Sequence, residues 1–115
     1  MTLENPKVFA EISIIPLGKK HSTDAMQTSI SREIAFAFKA IKNIKGVKVN
    51  LNAMGTEIEA NSIHDVLKSI EVAHQAIKDL GAKRIISTIR IDERLDKKET
   101  LEDRVNSVNE KMTES

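Results

Sequence analysis

The residues best placed to do chemistry in this chain are Glu57 and Glu59, on the segment Met54-Gly55-Thr56-Glu57-Ile58-Glu59-Ala60. Two carboxylates two positions apart project from the same side of an extended strand, while Ile58 between them projects from the other. Such a pair can move protons, balance an organic cation or join a salt-bridge network, and a water-facing strand edge accounts for it equally well. Acid–base catalysis would also need a nucleophile or a metal, and the sequence offers neither. There is no cysteine, and the histidines are His21, His64 and His74. His64 and His74 fall on one predicted helix, where ~100° per residue leaves them about 80° and nearly three turns apart. They are not the i, i+4 pair that grips a metal. No P-loop or GxSxG elbow occurs. No catalytic residue, metal or cofactor is expected.

The elements that position these residues can be read from hydrophobic periodicity. Lys7 to Ile15 (KVFAEISII) alternates, with Val8, Ala10, Ile12 and Ile14 on one face and Phe9, Glu11, Ser13 and Ile15 on the other. Pro16-Leu17-Gly18 is expected to stop this strand, and Lys19 to Gln27 reads as a loop. Ile30, Ile34, Ala37, Phe38, Ile41 and Ile44 form a helical stripe, predicting a helix over 29–44 capped by Thr28 or Ser29 and ended at Gly46. Val47 to Met54 alternates again, and a tight turn at Gly55 leads into a strand from Thr56 to Ala60. Ser62 and Asp65 open a second helix, which Gly81 ends. Lys83 to Asp92 is the last strand, and Thr100 with Asp103 caps a terminal helix bearing Leu101, Val105, Val108 and Met112. That stripe is thin, so the helix needs a partner on this subunit or another.

The order β-α-β-β-α-β is the ferredoxin-like, α+β arrangement: a four-stranded antiparallel sheet with two helices on one face. One domain over 1–115 is expected, with a core of about 7–94 and a C-terminal helical extension of about 100–112. By alternation the uncovered face carries Phe9, Glu11, Ser13, Asn50, Asn52, Met54, Glu57, Glu59, Thr88, Arg90 and Asp92. Phe9 and Met54 among polar groups suggest that a ligand or a second sheet meets this face.

Composition narrows the partners. Eighteen Lys and Arg against seventeen Asp and Glu give a net charge of +1. That balance, with no Trp or Tyr and Phe9 as the only sheet aromatic, argues against nucleic acid. No apolar stretch approaches the ~20 residues of a membrane span, and Glu4, Asn5 and Pro6 stand where a signal peptide needs an apolar run. A cytoplasmic location is expected, and the absence of cysteine fits it.

The ordered set Pro16-Leu17-Gly18, Ser29-x-Ser31, Met54-Gly55-Thr56-x-Ile58-Glu59, Ala73-His74, Gly81-x-x-Arg84 and Arg90-Ile91-Asp92-x-Arg94 resembles the small thiamine-binding-protein family. Each motif is weak alone, but their order and spacing run from about Lys7 to Val108. The resemblance implies a ferredoxin-like subunit assembled into a homodimer or homotetramer, with thiamine or its hydroxymethylpyrimidine part bound near the sheet. It carries over to Thr56, Glu59, Arg90, Asp92 and Arg94. The sequence departs from the family pattern at Ala60, where a second glycine is common, and Glu57 fills a variable position.

On this reading Glu57, Glu59 or Glu11 balances the thiazolium cation, and Ser13, Asn52, Thr56 or Asp92 meets the aminopyrimidine. Phe9 and Met54 cover the rings, and Arg90 holds the carboxylates. Phe9, Glu11, Thr88 and Arg94 are the alternative interface residues. Two other readings stay open: a structural module whose open face serves self-assembly only, and a thiamine-salvage enzyme with Glu59 as base.

Overall fold

The computed structural model describes residues 6–18 and 28–114. The Lys19–Gln27 loop and His21 lie outside the described residues. The elements run β1 (Val8–Leu17), α1 (Ser31–Lys42), β2 (Lys48–Asn52), β3 (Gly55–Ala60), α2 (Ile63–Asp79), β4 (Arg84–Glu93) and α3 (Leu101–Thr113). The strands form one antiparallel sheet in the order β2-β3-β1-β4, the expected ferredoxin-like topology.

β1 is the strand on which both halves of the chain meet. Its residues Val8 to Ile12 pair with β3, and the whole of Val8 to Leu17 pairs with β4. Its apolar set Val8, Ala10, Ile12 and Ile14 is buried with Ile58 and Ala60 of β3. Ala37 and Ile41 of α1 and Val66, Ala73 and Ile77 of α2 close the core from above. α2 is also tied to β4 by a 2.9 Å hydrogen bond between His74 Nε2 and Ser87 Oγ. This gives one histidine a structural role. Among the described residues no helix is long and apolar enough to cross a membrane.

Four local details differ from the sequence reading. β1 does not stop before Pro16; Pro16 and Leu17 continue it opposite Ile85 and Arg84. Beyond Ile12 this strand has a neighbour on one side only, which is where a residue lacking an N–H fits a sheet. α1 is shorter than 29–44, starting at Ser31 after Ile30, with Ser29 Oγ accepting from the Ser31 N–H at 3.3 Å. Gly46 has the positive φ expected of it, +84°, but in the turn before β2 and not at the end of α1.

Gly55 is not the hairpin turn. Asn52 pairs with Gly55, so Ala53 and Met54 make the two-residue turn and β3 begins at the glycine. Its φ is not positive. What requires glycine there is a close approach: a Cβ would stand 3.1 Å from the backbone oxygen of Ile12.

The helix ends follow their caps. Ser62 Oγ accepts from the Asp65 N–H at 3.2 Å, and α2 ends before Gly81 at φ +93°. Thr100 and Asp103 form a complete capping box at α3.

Ile58 is fully buried at the junction of the sheet and both helices. Ile58→Ala removes buried methyl groups and leaves a cavity, so it should cost about 2–5 kcal/mol. Chemical denaturation should report this as a lower midpoint at unchanged slope.

Candidate ligand-binding site

Strand register sorts the sequence candidates into cross-strand rows on the face opposite the helices. Glu59, Phe9 and Asp92 stand in one row, with Lys48 beyond Glu59. Glu57, Glu11 and Arg90 stand in the next, with Asn50 beyond Glu57. Ser13 and Thr88 form a third pair. The predicted polar face therefore exists, and most candidates lie on it.

The first row is already occupied by the chain's own C-terminal helix. Glu59 is buried at 7% exposure and accepts a 2.9 Å hydrogen bond from the N–H of Leu101, the first residue of α3. Carboxylates suit this position, because the first turn of a helix presents unpaired N–H groups and the positive end of its dipole. One turn further, Arg104 lies over the Phe9 ring, 4.2 Å from its centroid. Arg104 also donates to Asp92 at 2.6 Å and to Glu99 at 2.7 Å. Burial by itself lowers the Arg104 pKa, but its bonds to Asp92 and Glu99 and their charges outweigh this and raise it above the ordinary arginine value.

Phe9 is thus 3% exposed although it sits on the side away from the core, because a cation covers it. Glu59 spends its carboxylate on a helix terminus, which leaves it unlike a base waiting for a substrate. Arg94 turns to the β4–α3 connection, donating to Asp96 at 2.7 Å and approaching Glu99 at 3.6 Å. The hydrogen bond from Arg94, the largest influence on Asp96, holds its carboxyl below the usual range.

The second row is more open. Glu11 and Glu57 face each other directly, an unfavourable pairing of like charges. Arg90 approaches Glu11 at 3.6 Å, and the Asn52 amide donates to Glu57. A shallow cavity of about 530 Å³ lies here, lined by Phe9, Glu11, Glu57, Arg90, Asp92 and the first turns of α3. Of its other charged lining residues, Asp92 and Arg104 pair with each other at 2.6 Å.

A larger cavity, about 780 Å³, lies on the opposite side of the sheet. α1 forms its roof through Ile30, Ser31, Ile34 and Phe38, and Ile12 and Ile14 of β1 form its floor. The β2–β3 hairpin closes one end with Leu51, Asn52, Met54 and Thr56. Its origin lies in the packing: Ala37 and Ile41 seat the middle and far end of α1 on the sheet, whereas Leu51, on the helix-facing side of β2, remains 59% exposed. None of the described residues lining this cavity is charged.

The sequence candidates therefore divide between two sites. Thr56 lines the large cavity from the helix side, and Ser13, Asn52 and Met54 border it, although strand register turns Ser13 and Asn52 toward the polar face. Glu57, Arg90 and Asp92 line the shallow one, and Glu59 is engaged with α3. Thr56 is the placement that changes most. It pairs with Ile12 and Leu51 and so faces the helices, away from Glu57 and Glu59. Sequence reasoning did not single out Ile34, Phe38 or Leu51 as cavity walls, or Arg104 as the cover of Phe9. Ser29 and Ser31 carried a signal through their place in the family motif. Among the described residues no group of three or more His, Asp and Glu could hold a metal ion.

Comparison with known proteins bears on this geometry. Residues 10–109 match the family described as thiamine-binding protein. The UPF0045 protein of Methanothermobacter thermautotrophicus is 34% identical over 105 residues, covering 91% of this chain and 99% of that one. The protein MJ1052 of Methanocaldococcus jannaschii is 36% identical. Its crystal structure superposes with a TM-score of 0.76 over 90% of this chain and 97% of that one. A candidate thiamine biosynthesis/salvage protein from Thermotoga maritima, 20% identical, shares the fold with a TM-score of 0.67 over 90% of this chain and 99% of that one.

The docking of α3 is open to a direct test. Removing the charge-assisted bonds of Arg104 should cost about 1.5–3 kcal/mol locally. In Arg104→Gln, amide exchange across residues 101–113 should therefore accelerate roughly tenfold or more, while the core amides of β1 and α2 keep their wild-type rates. Unchanged exchange in α3 would mean that something other than Arg104 holds it.

Proposed function

This chain belongs to the thiamine-binding protein family, and from that premise we propose that it is a non-catalytic binding protein for thiamine or a related pyrimidine. The ligand enters the cavity between α1 and the β2–β3 hairpin, with its aminopyrimidine half inside. One observation carries this reading: the described lining is apolar apart from hydroxyl and amide groups, and it contains no charge. An uncharged heteroaromatic ring suits such a wall, because its faces pack against Ile34 and Phe38 while a few polar groups orient it. A thiazolium cation or a phosphate does not suit it, since desolvating an unpaired charge costs several kcal/mol. Those parts of the ligand stay at the mouth, in water.

The polar face supports a different job for the remaining candidates. Glu59, Asp92 and Arg104 fasten α3, and the carboxylates Glu11 and Glu57 lie on the far side of the sheet from the ring. The protein works in the cytoplasm as a homodimer or homotetramer. Support for self-association comes from α3, where Val105, Val108 and Met112 are 57%, 59% and 70% exposed, leaving a helical stripe without a partner in the described chain.

Isothermal titration tests the binding reading. Hydroxymethylpyrimidine and thiamine should bind with affinities within roughly tenfold of each other, because the buried half is common to both. Thiamine phosphates should bind comparably to thiamine. No heat from any of these ligands at high micromolar concentration would contradict the proposal. For assembly, light scattering should show an oligomer in the wild type and a monomer in Val105→Glu/Val108→Glu; a monomeric wild type would refute it.

A further inference from the structure

We propose that the outer edge of β4 pairs with the same edge of a second copy, antiparallel about a twofold axis at Thr88, joining two sheets into one. The inference rests on the self-association proposed above and makes β4 and the α3 stripe parts of a single interface. β4 runs ten residues and has β1 as its only strand neighbour among the described residues. Its pairs with β1 follow one another without a bulge, so no irregularity turns the outer edge away. Ile86, Ile89 and Ile91 are 41%, 37% and 38% exposed, and neither proline nor lysine interrupts the strand. Soluble proteins blunt such edges, because a row of unpaired N–H and C=O groups templates pairing with another chain. The opposite edge has the protection that β4 lacks: β2 is five residues long and begins at Lys48.

Charge and apolar pattern select the register. A continuous sheet with its helices on one side sets residues of the same face opposite each other, so the axis passes beside a single residue. At Thr88 the axis sets Arg84 against Asp92, Ile85 against Ile91 and Ser87 against Ile89, with the two threonines facing each other. One residue back, at Ser87, Arg84 meets Arg90; two residues forward, at Arg90, two guanidinium groups meet. With the axis at Ile89, Ile85 and Ile86 face the carboxylates of Glu93 and Asp92. Arg84 is exposed and has no ion pair among the described residues. Asp92 spends Oδ2 on Arg104 and its side chain is 53% exposed, so Oδ1 is available to the partner's Arg84. Each α3 is fastened over Phe9 and Asp92, which this register sets across the joint from the other copy's Ile86 and its neighbour Ile15. Both isoleucines are exposed on the side of the sheet where α3 lies, and the stripe of Val105, Val108 and Met112 covers them.

The chain contains no cysteine, so single-cysteine variants report the register directly. Thr88→Cys and Arg90→Cys are each treated with a methylene-bridged bis-methanethiosulfonate and run on denaturing gels. At the axis the two Cβ atoms lie about 4.5–5.5 Å apart, whereas the position-90 pair is separated along the strands by about 13 Å. Thr88→Cys should therefore give mostly covalent dimer, and Arg90→Cys roughly tenfold less. Arg84→Glu sets like charges opposite each other twice per dimer, so sedimentation should show a dimer Kd raised roughly tenfold. An oligomeric wild type with no more cross-linking at 88 than at 90 overturns the β4 inference and leaves assembly through α3 standing. A wild-type Kd in Arg84→Glu overturns the register at Thr88. A monomeric wild type overturns the inference and the assembly reading together.

Discussion

The pleat of β1 is the constraint on which the rest of this structure depends. β1 is hydrogen-bonded to β3 on one side and β4 on the other, so its alternation sets the facing of every residue in those strands. A shift of one residue would turn Ile12 and Ile14 to water and bring Glu11 and Ser13 against the helices. Burial of Val8, Ala10, Ile12 and Ile14 rules that shift out. The same constraint separates the two candidate sites. Glu11, whose row holds Glu57 and Arg90, and Ile12, whose row holds Thr56, are adjacent in sequence, yet they belong to opposite sides of the sheet.

The polar side is organised by an internal cation. Phe9 needs a cover, since an exposed aromatic in mid-sheet forfeits the gain of burial. The chain covers it with Arg104 and not with an apolar side chain, and places Asp92 and Glu99 to hold the guanidinium there. Glu59 completes the arrangement by receiving the first N–H of α3. Helix α3 is thereby held by its first turn, and its apolar stripe further along is left at the surface. A helix without a buried residue of its own depends on such a polar attachment, or on another subunit, to stay folded.

Much of this was legible in the residues themselves. Period-two alternation located all the strands and separated Phe9, Glu11 and Ser13 from the core residues of β1. Capping residues located α2 and α3, because Ser62 and Thr100 accept the hydrogen bonds their types suggest. Gly55 was misjudged for a traceable reason. Glycine at 55 looks like a turn residue, but its lack of a side chain serves a close contact with β1, and β3 already begins there. The cavity was not legible because it is an unfilled volume between elements, set by how α1 is seated by Ala37 and Ile41. Arg104 was missed because a charged residue on a predicted helix reads by default as solvent-facing.

The claim that the ligand sits beneath α1, and not on the polar face, can be tested by mapping amide chemical-shift changes as hydroxymethylpyrimidine is titrated into labelled protein. The largest changes should fall on 29–34 at the start of α1 and on 52–56 in the hairpin. Changes concentrated instead on Glu11, Glu57, Arg90 and Asp92, with α1 unaffected, would contradict it.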